Sequence, residues 1–160
     1  TYGHSEGDVA IRTLADALTY AQRKLGVTEI IDLATLTGAC MVALGEEVAG
    51  LMTTDAQLRK SLLMSSKETG ERLWELPLEE AYAPQLKSDI ADLKNITSTR
   101  YGGAITAGLF LKEFIEPGTA WAHLDIAGPA FAERPFRNYL GKGGTGYGVR
   151  LLLRYLQNRG

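Results

Sequence analysis

The sequence predicts an α/β protein in which helices pack on both faces of a mainly parallel sheet, forming α/β/α layers. Three short apolar stretches have the length and composition of buried strands. Stretches with helical spacing of apolar residues alternate with these strands along the chain, an order typical of parallel sheets. The 160 residues are 45% hydrophobic and 22% charged, which provides enough apolar material for one domain with one core.

The first predicted strand, residues 30–34, is the one around which the others are arranged. It reads Ile-Ile-Asp-Leu-Ala, and this apolar, β-branched character is typical of a strand buried on both faces at the centre of a sheet. Small and hydroxylated residues follow it at 35–39. In open parallel sheets, ligands bind at the carboxyl ends of strands, where small side chains let them approach the backbone. The turn is therefore either a substrate-binding ledge or a tight turn whose small residues serve packing alone.

Two helices and a second strand are predicted between residues 13 and 70. Residues 13–25 have apolar side chains at helical spacing and are followed by Gly26, which predicts an amphipathic helix. The second strand is predicted at residues 48–53, and the helix after it is capped by Asp55 and ended by Gly70. Beyond this helix, the sequence predicts an extended segment at 73–77, one helical turn at 78–82 and a long loop at 89–100.

The remainder of the chain predicts two helices and one strand. Residues 104–114 are apolar almost all round, which is typical of a buried helix. Residues 120–127 predict the third strand, and the Gly-, Arg-, Lys- and Pro-rich residues 133–147 predict a surface loop. The last helix has an apolar stripe that we expect to pack on the sheet. This stripe consists of Val149, Leu152, Leu153 and Leu156.

Composition makes several classes of partner improbable. A net charge of −2 gives no basic surface for nucleic acid, and no apolar run approaches the roughly 18 residues of a membrane span. Cys40 is the single cysteine of the sequence, which rules out an intrachain disulfide and suits a cytoplasmic protein. The chain begins with Thr1 rather than Met, so we expect a processed, excised or engineered piece.

Polar residues within the predicted strands allow two interpretations. His123 and Asp125 are two residues apart and face the same side of a strand, so they form either a metal or acid–base pair or a structural pair. Asp32 lies within the first strand. Its carboxylate either binds a metal or satisfies helix-end or backbone amides.

A third group of candidates lies near the start of the chain. His4, Glu6 and Asp8 alternate, and in an extended segment they would point three ligand-type side chains to one side. The other interpretation is that these residues are simply solvated, because the segment contains two glycines and no clear periodicity.

The residues around the first strand carry a family resemblance. Residues 32–39 read Asp-Leu-Ala-Thr-Leu-Thr-Gly-Ala and are followed by Val-Ala-Leu-Gly at 42–45. This sequence motif resembles one of the leucyl (cytosol) aminopeptidase family. Other blocks that resemble the family follow its order, at residues 13–18, 74–78, 88–95, 102–107, 123–129 and 144–150. The resemblance implies that residues 13–160 are the C-terminal part of a metallopeptidase catalytic domain and that residues 1–12 are a divergent N-terminal segment.

The same resemblance implies a function and a set of substrate-binding residues. Members of the family are hydrolases that use two divalent metal ions, Mn or Zn, to remove the N-terminal residue of a peptide. By resemblance, Thr35, Leu36 and Gly38 bind the backbone of the substrate or border its first side chain. Ala127 and Ala130 line the same pocket, whose small side chains would suit a leucine-like residue.

The resemblance breaks where the metal ligands belong. The family motif Asn-Thr-Asp-Ala-Glu-Gly-Arg should stand directly before residue 13, but an ungapped alignment places Gly7, Val9 and Ile11 at its Asp, Glu and Arg positions. With a three-residue insertion, Arg12 is the nearest arginine and thus the candidate catalytic residue. No residue matches a metal ligand of the family. Glu6 and Asp8 are the remaining metal candidates, and the two ions could be absent from this chain.

We therefore expect a fragment or variant of a metallo-aminopeptidase that is deficient on its own. Its expected partners are the N-terminus of a peptide and copies of itself, because members of the family are commonly hexamers. The alternative is a non-catalytic, self-associating or engineered module that retains the fold.

Overall fold

A computed structural model of the chain describes residues 6–87, 93–94, 101–135 and 140–159, and only the backbone of residues 6–8. The helices are α1 (Glu6–Leu25), α2 (Gly38–Leu44), α3 (Ala56–Thr69), α4 (Gly103–Lys112) and α5 (Val149–Gln157), with a 3-10 helix at Glu80–Leu86. The strands are β1 (Glu29–Ala34), β2 (Val48–Thr53), β3 (Arg72–Glu75), β4 (Ala120–Asp125), β5 (Phe131–Ala132) and β6 (Gly143–Gly144).

The sheet and its two helical layers confirm the predicted α/β fold. Its four strands lie in the order β1-β4-β2-β3, and β5 pairs separately with β6. The β1–β4 and β2–β3 pairs are parallel, and the β2–β4 pair is antiparallel. On one face, α1 and α4 pack over Trp121 of β4. On the other face, α3 and α5 pack over Ala122 and Leu124 of the same strand.

The prediction that the first strand lies at the centre of the sheet is wrong. Within the described residues, β1 pairs with β4 alone, and all six of its residues are half-buried. The inner strands are β4, whose residues 121–125 are all buried, and β2. A strand at the sheet edge that lies beneath two helical layers needs the same apolar residues as a central one. Composition therefore cannot distinguish the two positions.

The first helix begins earlier than predicted. α1 starts at Glu6 rather than at residue 13, and its buried residues include Ile11, Ala15 and Leu18 at helical spacing. The extended conformation that would align Glu6 with Asp8 is therefore wrong, because residues two apart on a helix do not face each other. His4 lies outside the described residues.

The last helix packs mainly with a face other than the predicted one. Of the predicted stripe, Val149, Leu153 and Leu156 are 68%, 56% and 64% exposed, and only Leu152 is half-buried against the core. Leu151 and Tyr155 are almost fully buried against α3 and the sheet. Leu151 and Tyr155 are also four residues apart, so α5 has two apolar faces. The longer one, which we call the α5 stripe (Val149, Leu153 and Leu156), faces outward.

Most of the remaining predicted elements are confirmed. β2 has the predicted bounds, and α3 is capped by the Asp55 side chain and followed by Gly70. The predicted helical turn at 78–82 is a 3-10 helix that extends past Pro84. The surface loop predicted at 133–147 contains β6, and its residues 136–139 lie outside the described part of the chain. Most of the loop predicted at 89–100 also lies outside the described part.

The two faces of α5 predict different costs of truncation. We expect Leu151→Ala to lower the free energy of unfolding by about 2–5 kcal/mol, because it leaves a cavity between α5 and the sheet. Leu153→Ala should change the free energy of unfolding of the dissociated chain by less than about 0.5 kcal/mol, because this side chain is exposed there. Urea denaturation of both variants measures the difference. Equal losses would contradict the described orientation of α5.

Candidate functional site

Two turns meet at the carboxyl ends of the parallel strands β1 and β4. Ala34, at the end of β1, is paired with Asp125, at the end of β4. The amide of Ile126 continues this pairing by donating to the carbonyl of Ala34 at 2.8 Å. We call residues 35–38 the ledge turn and residues 126–130 the pocket turn. The two turns therefore leave the sheet side by side.

The carboxylate of Asp125 joins the two turns. Its side chain is fully buried, and Oδ1 accepts the amide N–H of Leu36 at 3.1 Å and that of Ala127 at 3.2 Å. Oδ2 accepts the amide N–H of Thr37 at 3.1 Å and its hydroxyl at 2.7 Å. Four donors thus compensate one buried negative charge, which would otherwise be costly to bury.

Thr37 links Asp125 to the start of α2. Its Oγ1, which donates to Asp125, also accepts the amide of Cys40 at 3.0 Å and so caps the first turn of the helix. The hydrogen bonds of Asp125 therefore extend, through the hydroxyl of Thr37, to the first turn of α2.

The pocket turn approaches the other end of α2 closely. A Cβ on Gly128 would lie 2.2 Å from the carbonyl oxygen of Gly45, the residue that ends α2. Such a contact involves backbone on both sides and cannot be relieved by a side-chain rotation. Glycine at position 128 is therefore needed for the packing of the pocket turn on α2.

The glycine-rich segment before α5 supports the pocket turn from its other side. The hydroxyl of Thr145 donates to the carbonyl of Pro129 at 2.5 Å, and its amide donates to the carbonyl of Ala130 at 3.0 Å. The short β5–β6 pair lies directly beside these contacts.

The structure brings together the five substrate-binding residues expected from the sequence. Thr35 and Gly38 are exposed in or at the end of the ledge turn, and Ala127 and Ala130 are half-buried in the pocket turn. Leu36 is buried, and its side chain belongs to the hydrophobic core. Its backbone, rather than its side chain, is thus the part available to a ligand.

Arg12, the catalytic candidate, lies on a different element. It is exposed on α1, a helix that packs against α4. The hydrogen bonds that hold the two turns are made by Asp125, Thr37 and Thr145. The role of Arg12 remains a prediction.

His123 and Asp32 form a buried pair beneath the site. The Asp32 carboxylate contacts His123 Nδ1 at 2.5 Å and accepts the indole N–H of Trp121 at 2.7 Å. The contacts of Asp125 with the two turns, and of Asp32 with Trp121 and His123, are those that the structural interpretation expects. In the part of the chain that the structure describes, Nε2 of His123 makes no hydrogen bond.

Cys40 lies directly behind the ledge turn as a neutral thiol. Burial, followed by the negative charge of Asp125, raises the pKa of this thiol to about 11. Its sulfur lies 3.7 Å from the carbonyl oxygen of Asp125. A thiol with this pKa is protonated at neutral pH and is a poor nucleophile or metal ligand.

The described residues do not fit a pair of divalent ions. Among the described residues there is no group of three or more His, Cys, Asp or Glu side chains that could hold a metal ion. The carboxylates of Asp125 and Asp32 already accept hydrogen bonds from the donors named above. The side chains of Glu6 and Asp8 lie outside the description.

The role of Asp125 was not found from the sequence. The strand pattern predicts Asp125 only as the partner of His123, because the two residues share a strand face. A signal was present in its position as the last residue of a strand, beside the end of a parallel neighbour. A carboxylate there can accept the amides of both following turns.

Comparisons with known proteins agree with this geometry. A model of the cytosol aminopeptidase family, catalytic domain, matches residues 6–153. A probable cytosol aminopeptidase of Synechococcus sp. is 57% identical over 147 residues, which cover 92% of this chain and 28% of the relative. A probable cytosol aminopeptidase of Gloeobacter violaceus is 52% identical over 144 residues, which cover 90% and 28%. The chain thus spans 28% of the length of these curated relatives.

Two solved structures share the fold. A mutant of tomato leucine aminopeptidase matches with a TM-score of 0.84 and 45% identity, over 92% of this chain and 28% of that one. The bottromycin maturation enzyme BotP matches with a TM-score of 0.88 and 39% identity, over 93% of this chain and 33% of that one.

The close approach at the pocket turn predicts a sensitive position. We expect Gly128→Ala to lower the free energy of unfolding by roughly 1–3 kcal/mol or more, because the new methyl group would overlap the carbonyl of Gly45. The matched control is Gly141→Ala, where a Cβ would meet nothing within 4 Å. Thermal unfolding of both variants tests this, and a Gly128→Ala variant as stable as the control would contradict the packing described.

Proposed function

Because the chain belongs to the cytosol aminopeptidase family, we propose that it forms the substrate-facing part of a metallo-aminopeptidase that removes a leucine-like N-terminal residue. The observation that supports this proposal is the pairing of an exposed ledge turn with a half-buried pocket turn around Asp125. The ledge turn offers backbone groups to a peptide, and the small side chains of Ala127 and Ala130 leave volume for its first side chain.

In this proposal, the catalytic metals are held elsewhere in the longer relatives. The family is metal-dependent, with two divalent ions, Mn or Zn, that would polarise the scissile carbonyl and supply the nucleophile. The described residues do not offer a ligand set for such ions. Residues 13–160 would then be the C-terminal part of the catalytic domain, residues 1–12 a divergent segment, and the chain alone would be catalytically deficient.

A binding and turnover experiment tests this proposal. We expect the chain to bind leucine amide, measured by calorimetry, and to bind glycine amide less tightly because glycine leaves the pocket turn empty. In the presence of Mn²⁺ or Zn²⁺, hydrolysis of leucine amide should be negligible beside that of an intact relative such as the Synechococcus protein. Turnover comparable to the intact enzyme would contradict the deficiency, and an absence of leucine amide binding would contradict the substrate-facing role.

The same calorimeter distinguishes the alternative. Specific uptake of divalent ions by the chain would show that it holds the metals itself. Binding of neither ions nor leucine amide would favour a non-catalytic module that only retains the fold.

The proposal places the protein in the cytoplasm, in line with the cytosol aminopeptidases it resembles. Among the helices the structure describes, none is long and apolar enough to cross a membrane.

We further propose that the chain associates with copies of itself through the α5 stripe. Three large apolar side chains are exposed along one helix, which is more than scattered surface hydrophobicity. At the end of this helix, the Tyr155 hydroxyl donates to Glu29, the first residue of β1, at 2.7 Å. The last turn of α5 therefore lies beside the start of a strand that, within the described residues, has one side unpaired, and such edges favour association with a second copy.

A single charge in the stripe should weaken this association. Leu153→Glu would place a carboxylate at the centre of the contact, so we expect a lower sedimentation coefficient than that of the original chain at equal concentration. Ala17→Glu adds the same charge at an exposed position on α1, on the opposite face of the sheet, and should leave sedimentation unchanged. Identical sedimentation of the Leu153→Glu variant and the original chain would contradict the proposed contact.

A further inference from the structure

The geometry points to Asp125 as a positioning residue that sets the ledge turn and the pocket turn as one unit, and so determines how a peptide is held between them. We propose this role on the basis of the proposed function, since it concerns the same site. Asp125 itself is fully buried beneath the turns and makes its contacts with the protein rather than with a ligand.

Asp125 sets the direction of the backbone groups in the ledge turn. The amides of Leu36 and Thr37 both donate to Asp125. In a trans peptide, the carbonyl of the preceding residue points opposite to the amide, and the described chain contains no cis peptide. The carbonyls of Thr35 and Leu36 are therefore directed away from the buried carboxylate, where they can accept the N–H donors of a peptide.

Asp125 also links the ledge turn to the pocket turn. Oδ1 of Asp125 accepts the amide of Leu36 and the amide of Ala127 at once, at 3.1 and 3.2 Å. A shift of either turn must break or bend a charge-assisted hydrogen bond to the same oxygen atom. Oδ1 of Asp125 thus helps to fix the distance between the ledge carbonyls and the pocket that would receive the first side chain, together with the hydrogen bond from the Ile126 amide to the Ala34 carbonyl.

The carboxylate of Asp125 cannot be replaced by an amide of the same shape. A carboxylate can accept all four donors, two on each oxygen, whereas an asparagine of the same shape has one acceptor and two donors. Asp125→Asn would place an NH₂ group either against the amides of Leu36 and Ala127, which donate to Oδ1, or against the amide and hydroxyl of Thr37, which donate to Oδ2. We therefore expect the variant to keep the volume of the side chain and to lose the arrangement of one of the two turns relative to the other.

The experiment compares Asp125→Asn with a matched variant in native-state hydrogen exchange. We expect the exchange rates of the Leu36, Thr37 and Ala127 amides all to rise, by about tenfold or more for those that face the NH₂ group and by less for those that still face the amide oxygen, because every bond loses its charge assistance. Asp32→Asn neutralises a second buried carboxylate, one that contacts Trp121 and His123, and should leave these three amides within about twofold.

A second variant covers the case in which Asp125→Asn does not fold. Thr37→Val keeps the β-branched shape but removes the hydroxyl that donates to Oδ2. Because the pocket turn is coupled through Asp125, we expect exchange of the Ala127 amide to rise at least threefold, although Thr37 and Ala127 share only this carboxylate. An unchanged rate at Ala127 in both folded variants would overturn the inference.

Ligand affinity separates positioning from simple support of the fold. Asp125→Asn should weaken leucine amide and glycine amide by a similar factor of about ten, because both depend on the ledge backbone. Ala130→Val, which fills the pocket, should weaken leucine amide alone. If Asp125→Asn raises exchange but leaves both affinities unchanged, Asp125 does not position the ligand. If the original chain binds neither amide, the proposed function fails, while the exchange experiment still decides whether the turns move as one unit.

Discussion

The structure of the site depends on one buried carboxylate. Asp125 lies at the end of an inner strand, and its four hydrogen bonds reach the ledge turn, the pocket turn and, through Thr37, the first turn of α2. Each charge-assisted bond contributes about 1.5–3 kcal/mol in proteins, and a buried carboxylate without its donors would be strongly destabilising. The fold therefore stabilises the turns and the charge together.

The short helix α2 is enclosed by backbone that comes unusually close. A Cβ on Gly50 of β2 would lie 2.9 Å from the sulfur of Cys40, and one on Gly128 would overlap the carbonyl of Gly45. Two glycines thus allow β2 and the pocket turn to pack on the same seven-residue helix. This packing leaves the ledge turn at the surface while its supports are buried, which is the arrangement a peptide-binding site requires.

The sequence predicted the elements better than their surroundings. The bounds of β2 and the capped start of α3 follow from local patterns, because strand periodicity and the Asp55 cap are local properties. The edge position of β1 and the outward face of α5 depend on which neighbours are present, which no local pattern records. The residues that the family likeness suggests for substrate binding lie in two turns that neighbour each other in the fold, and their role in binding stays a prediction. The contacts of Asp125 join two turns from distant parts of the chain, and a local pattern cannot show which turns share a side chain.

The most direct test of the central claim is a crystal structure of the chain with leucine amide bound. We expect the ligand to lie between the two turns, with its N–H groups on the carbonyls of the ledge turn and its side chain beside Ala127 and Ala130. Asp125 should keep its contacts with Leu36, Thr37 and Ala127 beneath it. A ligand bound at another surface would contradict the peptide-binding role of the two turns, and an Asp125 carboxylate that leaves the turns to contact the ligand or a metal ion would contradict its positioning role.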